Sequence, residues 1–212
     1  MSSQVPKIIV YSDYVCPYCL LAEGVIDEVA EQTGAEVEWR PFELRPHPTP
    51  TLRPEDDYLP RVWRASVYPM ARRMNVPVVL PRISPQPYTH TAFEGFQYAK
   101  EHGLAREYNA RVLRAFFQEE RDIGRVDVLT EIAAELGLDA EEYREALESR
   151  RYRDVHQAAL AQAHADRVSA VPTILVGDGR ITGVPDREQL LALVRQQTAE
   201  QAPGEQVDAP TR

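Results

Sequence analysis

The only two cysteines of the chain, Cys16 and Cys19, directly follow an apolar, β-forming run at residues 7–12. With the two residues between them they form the sequence Cys-Pro-Tyr-Cys. An amphipathic stretch then continues to residue 33. A strand that leads into a helix here would place Cys16 at the positive end of the helix dipole, where unpaired N–H groups favour an anion. Pro17 suits the first helical turn, because its missing N–H would have no partner there. The pattern therefore predicts a strand, a dithiol and a helix in that order.

The spacing of the cysteines indicates thiol–disulfide chemistry. Cysteines at helix N-termini can ionise well below the free-thiol pKa of about 8.5, which makes them good nucleophiles. Cys19 lies three residues further on, on the same helical face. We expect Cys16 to be the exposed nucleophile and Cys19 to be the shielded cysteine that resolves a mixed disulfide.

Other uses of two cysteines are less well supported. A zinc site needs about four ligands, and Cys-x-x-Cys supplies two. A structural disulfide between positions i and i+3 would close almost no loop. Two buried, unreactive cysteines remain an alternative, because free Cys is often a core residue. We expect no metal and no cofactor, with electrons coming from an external thiol system. The five histidines show no His-x-x-x-His spacing that would complete a zinc site: His47, His90, His102, His156 and His164.

The charge balance limits the partners. The chain has 33 acidic and 24 basic residues, a net charge of -9, which disfavours nucleic acid or an anionic membrane as the main partner. No apolar stretch approaches the roughly 18 residues of a membrane span. Five residues separate Met1 from the first strand, too few for a signal peptide. A periplasmic protein is the alternative if a signal sequence has been removed. We expect a cytoplasmic protein without nucleic-acid or membrane partners.

The remaining periodicity predicts a β-α-β unit, a helical block and a β-β-α unit. A second strand at 35–44, with Val37, Trp39 and Phe42 facing inward, would pair in parallel with the first. Helices are expected at 59–74, 89–102, 105–121, 126–136, 139–149 and 151–166, a hairpin at 173–182, and a last helix from 186. Aromatic residues at helical spacing are assigned to the core. They are Phe93, Phe96, Phe116 and Phe117.

These elements divide the chain into four parts. Residues 1–44 form the first part of the core, and 45–166 form a proline-rich connection followed by a helical insertion. Residues 167–200 form the second part of the core. Residues 201–212 are expected to be a disordered tail.

The hairpin is entered through Val171-Pro172. A proline at the start of a central strand is unfavourable unless its peptide bond is cis or an edge is free. A cis bond would turn the Val171 backbone outward to pair with an extended substrate. A trans, purely structural proline is the equal alternative from spacing alone.

Four segments together resemble the DsbA-family oxidoreductases of the FrnE-like group. They are Tyr11–Cys19, Ala92–Gly103, Arg114–Gly124 and Val171–Val176. The resemblance spans about residues 7–198. It implies an α/β protein with a thioredoxin-like fold and a large inserted all-helical domain. It also implies Cys16 as nucleophile, Cys19 as resolving cysteine and Pro172 as a cis-proline.

By this resemblance the chain is a protein disulfide reductase or isomerase. Pro17, Tyr18, Val171 and Pro172 would contact the substrate, which is a protein or small-molecule disulfide or glutathione. The dipeptide Pro17-Tyr18 differs from the Pro-His and Pro-Trp pairs of relatives, so the direction of the redox reaction stays open. Two alternatives are a peptide-binding chaperone module and a glutathione-dependent isomerase resembling kappa-class transferases. The second typically has serine at the position of Cys16.

Overall fold

The protein is described by a computed structural model of residues 5–201. Four strands form one sheet in the order β2-β1-β3-β4. The strands are β1 (Lys7–Ser12), β2 (Glu36–Pro41), β3 (Thr173–Val176) and β4 (Gly179–Thr182). The β1–β2 pair is parallel, as predicted, whereas β3 is antiparallel to both β1 and β4. The sheet is therefore assembled from both ends of the chain.

Helices fill the remaining chain. The first is α1 (Pro17–Thr33), which connects β1 to β2, and the last is α9 (Arg187–Gln201). Between β2 and β3 lie α2 (Tyr58–Val62), α3 (Tyr68–Met74), α4 (His90–Glu101), α5 (Ala105–Phe117), α6 (Val126–Glu135), α7 (Ala140–Glu148) and α8 (Arg153–Ala165). This order of elements confirms the α/β fold class, with a helical insertion between the two parts of the sheet.

Helix α1 begins and ends where the sequence predicts. Cys16 is its N-cap, with extended backbone angles of φ -98 and ψ 110, and Pro17 follows in the first turn. Gly34 ends the helix with φ 70, a left-handed conformation that glycine adopts without steric cost. The strand-to-helix junction therefore fixes Cys16 at the helix N-terminus.

The segment predicted as one helix at 59–74 contains an interruption. Trp63–Val67 forms a π-helical turn between α2 and α3. Pro69 stands in the first turn of α3 and has no N–H to donate. The wider turn directly before Pro69 accommodates this missing donor, and such turns are frequent near functional sites.

Three expected boundaries were wrong. Strand β2 ends at Pro41 rather than 44. Of the three residues expected to face inward, Trp39 is buried, whereas Val37 and Phe42 are only partly buried. Helix α5 ends at Phe117 rather than 121, because Glu120 adopts a left-handed φ of 53. Gln201 still belongs to α9, and the rest of the expected disordered tail, 202–212, lies outside the described residues.

The insertion shares one hydrophobic core with the sheet. Helix α8 packs on β2, and α5 packs on α1. The Tyr14 ring, just after β1, stacks on the Phe93 ring of α4 with centroids 4.4 Å apart. The four aromatic residues assigned to the core are all buried. Across residues 5–201 no helix is long and apolar enough to cross a membrane.

Candidate active site

The dithiol lies at the carboxyl end of β1. The Cys16 N–H donates to the Asp13 carbonyl, and the Cys19 N–H donates to the Cys16 carbonyl, each at 3.0 Å. Both cysteines are free thiols. The two cysteines are therefore held close together by strand β1, the tight loop after it and the first turn of α1.

Both thiols lie below the surface. Cys16 is 5% exposed and Cys19 is 0% exposed. Cys16 is thus the more accessible cysteine, but the expectation of an openly exposed nucleophile was wrong. Its thiol donates to the Val171 carbonyl at 3.4 Å, so the loop before β3 lies against its sulfur.

The Val171–Pro172 peptide bond is cis. The loop is held from both sides, since the Pro172 carbonyl accepts the Gly183 N–H at 2.8 Å and the Thr173 hydroxyl donates to the Ala170 carbonyl. The expectation that the Val171 backbone faces outward is wrong for its carbonyl, which is directed at Cys16. That carbonyl becomes free when Cys16 ionises, because a thiolate has no proton to donate.

The surroundings of Cys19 oppose its ionisation. Burial raises the pKa of the Cys19 thiol well above its usual value, and its hydrogen bond with Cys16 raises it further. The Ser12 hydroxyl and the Asp13 N–H act in the opposite direction. A buried thiol with a raised pKa is suited to an intramolecular step, such as the resolution of a mixed disulfide, rather than to attack on a substrate from solvent.

Tyr18, between the two cysteines, is anchored to the insertion. Its hydroxyl donates to the Ser66 hydroxyl at 2.7 Å, and Ser66 belongs to the π-helical turn. Pro17 and Tyr18 are both partly buried. Of the four residues expected to contact substrate, Pro17 and Tyr18 thus lie between the two cysteines in the chain, and Tyr18 is tied to the helical segment.

Two buried carboxyl groups near the dithiol were missed by sequence reasoning. Burial raises the pKa of Asp13 to about 7, although the Leu44 N–H and the Thr89 hydroxyl offset part of the rise. Burial also raises the pKa of Glu23 to about 7, and the Arg114 charge offsets part of that rise. The available signals were an acidic residue three positions before Cys16 and another one turn after Cys19, in an apolar stretch.

A buried pair of one histidine and one glutamate lies near the end of β2. His156 Nε2 and Glu43 Oε1 are 2.6 Å apart, with both side chains buried. His90, at the start of α4, is half-buried, and burial lowers its pKa. Among the described residues, no group of three or more histidine, cysteine or acidic side chains is arranged to hold a metal ion.

The chain has a similar protein of known sequence. The chain is 46% identical over 181 residues to the uncharacterized protein YwbO of Bacillus subtilis (strain 168). The aligned residues cover 84% of this chain and 90% of YwbO.

Two solved structures have a similar fold. The 2-hydroxychromene-2-carboxylate isomerase has a TM-score of 0.73 at 19% identity, covering 93% of this chain and all (100%) of that chain. The cytosolic disulfide reductase DsbM of Pseudomonas aeruginosa, solved with GSH, has a TM-score of 0.66 at 20% identity, covering 92% of this chain and 96% of that chain.

The match to a known family covers nearly the whole described chain. Residues 7–195 match the DSBA-like thioredoxin domain. This range includes the dithiol, the helical insertion and the loop that carries Pro172. The chain therefore belongs to the family of DSBA-like thioredoxin domains.

Proposed function

We propose that the protein is a thiol–disulfide oxidoreductase that reduces or isomerises disulfides through Cys16 and Cys19. One observation carries the proposal: a free thiol at the N-cap of α1 donates to the Val171 carbonyl at 3.4 Å, with a second free thiol one helical turn away. Thiol–disulfide exchange begins with a thiolate, and reactive cysteines commonly stand at helix N-termini, where the helix dipole attracts an anion. The assignment to the FrnE-like group stays a prediction.

The first step is attack by Cys16. Its thiol loses the proton that it shares with the Val171 carbonyl, and the thiolate attacks one sulfur of the substrate disulfide. A Cys16–substrate disulfide forms, and the other half of the substrate leaves as a thiolate. The freed Val171 carbonyl is then available to accept an N–H from a bound substrate.

The second step is resolution by Cys19. Its sulfur attacks the Cys16 sulfur, the bond from Cys16 to the substrate breaks, and the departing sulfur takes the proton of Cys19 and leaves as a thiol. The protein ends with a Cys16–Cys19 disulfide, so two electrons have passed from the dithiol to the substrate. Two molecules of an external thiol, for which glutathione is our candidate, return the two electrons in the next cycle and leave joined as a disulfide.

The substrate-binding residues follow from this arrangement. The Val171 carbonyl lies 3.4 Å from the Cys16 sulfur and Pro172 follows it, while Pro17 and Tyr18 form the first turn of α1 between the two cysteines. The reaction requires no bound cofactor or metal. A reducing cytoplasm would favour reduction or isomerisation of disulfides over net oxidation, and we propose that compartment.

The alternative functions use the site differently. A glutathione-dependent isomerase shares the fold, and the isomerase structure described above supports the fold alone. Such an enzyme needs no second cysteine to resolve a mixed disulfide, so the presence of both Cys16 and Cys19 favours the oxidoreductase. A peptide-binding module would keep its function without either thiol.

The test is to trap the mixed disulfide. Cys19→Ser should accumulate a covalent adduct with a small disulfide, because the first attack proceeds and resolution fails. Cys16→Ser should form no adduct and should lose disulfide reductase activity. Mass spectrometry of the intact protein, with and without reductant, measures both results.

Two outcomes would reject the mechanism. One is a Cys19→Ser protein that forms no adduct while its thermal unfolding matches that of wild type. The other is a double Cys→Ser variant whose catalytic turnover equals that of wild type. Such an activity would depend on neither thiol and would favour the isomerase. Retention only of aggregation suppression in that variant would favour the chaperone module.

A further inference from the structure

A cavity of about 50 Å³ lies directly beside the dithiol loop. It is bordered by Asp13 and Val15 on the side of the cysteines and by Leu44, Arg45 and Thr89 on the other side. Leu44 is 43% exposed, so the cavity lies between the buried loop and the surface. A water molecule needs about 10–15 Å³ of such volume. The cavity therefore accommodates a group of the size of an ammonium ion with room to spare.

The Asp13 carboxyl is the buried acidic group in the lining of this cavity, which Thr51, Gln86 and Thr89 also border. It is 0% exposed, and its Oδ2 accepts the Leu44 N–H at 2.7 Å. The Thr89 hydroxyl and the Val15 N–H lie close enough to lower the pKa of this carboxyl, but within the described chain neither they nor any other donor reaches Oδ1 with hydrogen-bonding geometry. Buried polar atoms are nearly always paired, and each carboxylate oxygen can accept about two hydrogen bonds. Oδ1 is therefore a place where a ligand can supply the missing donor.

The charged groups around Asp13 leave this role open. Glu43 is close enough to raise the pKa of Asp13 by its charge, but its Oε1 is engaged by His156 at 2.6 Å. Arg45 also borders the cavity, and its Nη1 donates to the Pro50 carbonyl at 3.2 Å. Burial holds the pKa of Asp13 at about 7, so a cation beside Oδ1 would favour the ionised carboxylate.

The cavity is also within short reach of the nucleophile. Val15 borders it and directly precedes Cys16, and the Asp13 carbonyl accepts the Cys16 N–H at 3.0 Å. The cavity wall and the nucleophile therefore belong to one short loop, residues 13–16.

We propose that this cavity receives the ammonium group of a small aminothiol disulfide, with Asp13 as the residue that binds it. The inference rests on the proposed oxidoreductase function and specifies its substrate class. The predicted substrates carry a primary amine about two carbons from the disulfide sulfur. Neutral and carboxylate-bearing disulfides gain nothing from Asp13.

Single-turnover kinetics of the reduced full-length protein test this assignment. Three symmetrical probes are used: cystamine, bis(2-hydroxyethyl) disulfide and 3,3′-dithiodipropionic acid. The protein dithiol supplies the two electrons, and each probe molecule yields two thiols, so no other reductant is needed. The rate with each probe is divided by its rate with dithiothreitol, which removes the difference in intrinsic reactivity.

The normalised rate for cystamine should exceed that for the hydroxyethyl probe by about ten-fold, the scale of one hydrogen bond to a charged group. Asp13→Asn should bring this ratio close to one, because the amide has no charge. The matched control is Asp178→Asn, at the exposed hairpin turn, which removes the same charge. The control should keep the wild-type ratio.

A measurement on wild type alone covers the case of an unstable variant. The cystamine preference should be stronger at pH 8 than at pH 5.5, since Asp13 ionises between them while an amine with a pKa near 10 stays charged. A wild-type ratio near one would show that the cavity holds solvent only. A preference that persists in Asp13→Asn, or is equal at both pH values, would also overturn the assignment. No reaction with any probe would instead reject the oxidoreductase function on which it rests.

Discussion

At the scale of single residues, the two sulfur atoms differ in their accessibility and in their hydrogen-bond partners. Cys16 caps α1 and is 5% exposed, with its thiol on the Val171 carbonyl. Cys19 is fully buried, and burial raises its pKa well above the usual value. One helical turn thus separates the more accessible thiol, for which we propose the attack on substrate, from the fully buried thiol, for which we propose the internal resolving step.

This difference predicts the order of alkylation. Brief treatment of the reduced protein with iodoacetamide near pH 7 should label Cys16 at least about ten-fold faster than Cys19, because each unit of pKa changes the thiolate fraction ten-fold. Peptide mapping by mass spectrometry measures the two rates. The same treatment in denaturant provides the control, in which the rates should converge. Equal rates in the folded protein, or faster labelling of Cys19, would reverse the roles of the two cysteines.

The sequence could reveal some of these residues and not others. Cys16, Cys19 and Pro172 could be proposed as site residues because they stand in short sequence motifs, and the structure brings Val171, next to Pro172, against Cys16. Asp13 and Glu23 could not be proposed in this way, because their burial depends on distant partners. The Leu44 N–H that binds Asp13 lies 31 positions away, and the Asn109 amide that binds Glu23 lies 86 positions away. Periodicity does not report such contacts.

At the scale of elements, an ion pair joins α4 to the turn after α7. Glu94 is 0% exposed, and Arg150 binds both of its oxygens, with Nε at 2.8 Å from Oε2 and Nη2 at 2.6 Å from Oε1. Arg150 itself is 45% exposed. A buried carboxylate in a two-pronged pair depends on its partner far more than an exposed one does.

Arg150→Ala should therefore lower the free energy of unfolding by about 2–3 kcal/mol, somewhat below the range for fully buried pairs because water reaches Arg150. Urea denaturation followed by circular dichroism measures the change. The neighbouring Arg151→Ala is the matched control, since Arg151 pairs at 3.3 Å with a half-exposed Glu142. Its effect should be much smaller. Equal losses in the two variants would show that Glu94 does not need its partner.

Most elements followed from hydrophobic periodicity and helix-ending residues. Gly34, Gly103 and Gly137 mark helix ends or turns with positive φ, as their positions in the sequence indicated. The π-helical turn at Trp63–Val67 was not predicted, because the apolar pattern over a single turn does not distinguish i→i+4 from i→i+5 hydrogen bonds. The same turn positions Ser66 against Tyr18, so the local irregularity belongs to the site.

At the scale of the whole molecule, the core runs without a break from the sheet into the insertion. Glu23 of α1 is part of this junction, since its Oε1 accepts the Asn109 amide of α5 at 3.2 Å. Its side chain is only 8% exposed, and burial raises its pKa from 4.5 to about 7. The joint between the two parts of the protein thus contains a group that titrates near neutral pH.

This group predicts that the protein loses stability as the pH rises from 5 to 8. Glu23 binds its proton up to about pH 7 in the folded state but only to about pH 4.5 when unfolded, so the folded state holds more protons between these values. Raising the pH therefore favours unfolding, by about 3 kcal/mol for a shift of this size. Glu23→Gln should remove this part of the loss, which urea denaturation at pH 5 and pH 8 measures. Asp13, with its pKa also raised to about 7, should maintain a remaining loss in that variant.

The control lies on the same helix. Glu31 has a side chain that is 74% exposed and lies 3.8 Å from Arg106, so Glu31→Gln should leave the difference between the two pH values unchanged. A Glu23→Gln protein with the same pH dependence as wild type would show that Glu23 titrates alike in both states. Because Glu23 connects α1, which carries the dithiol, to α5 of the insertion, its ionisation should weaken the junction itself. Hydrogen exchange of the amides in α1 and α5 should accordingly accelerate at pH 8, beyond the chemical effect of pH, in wild type and not in Glu23→Gln.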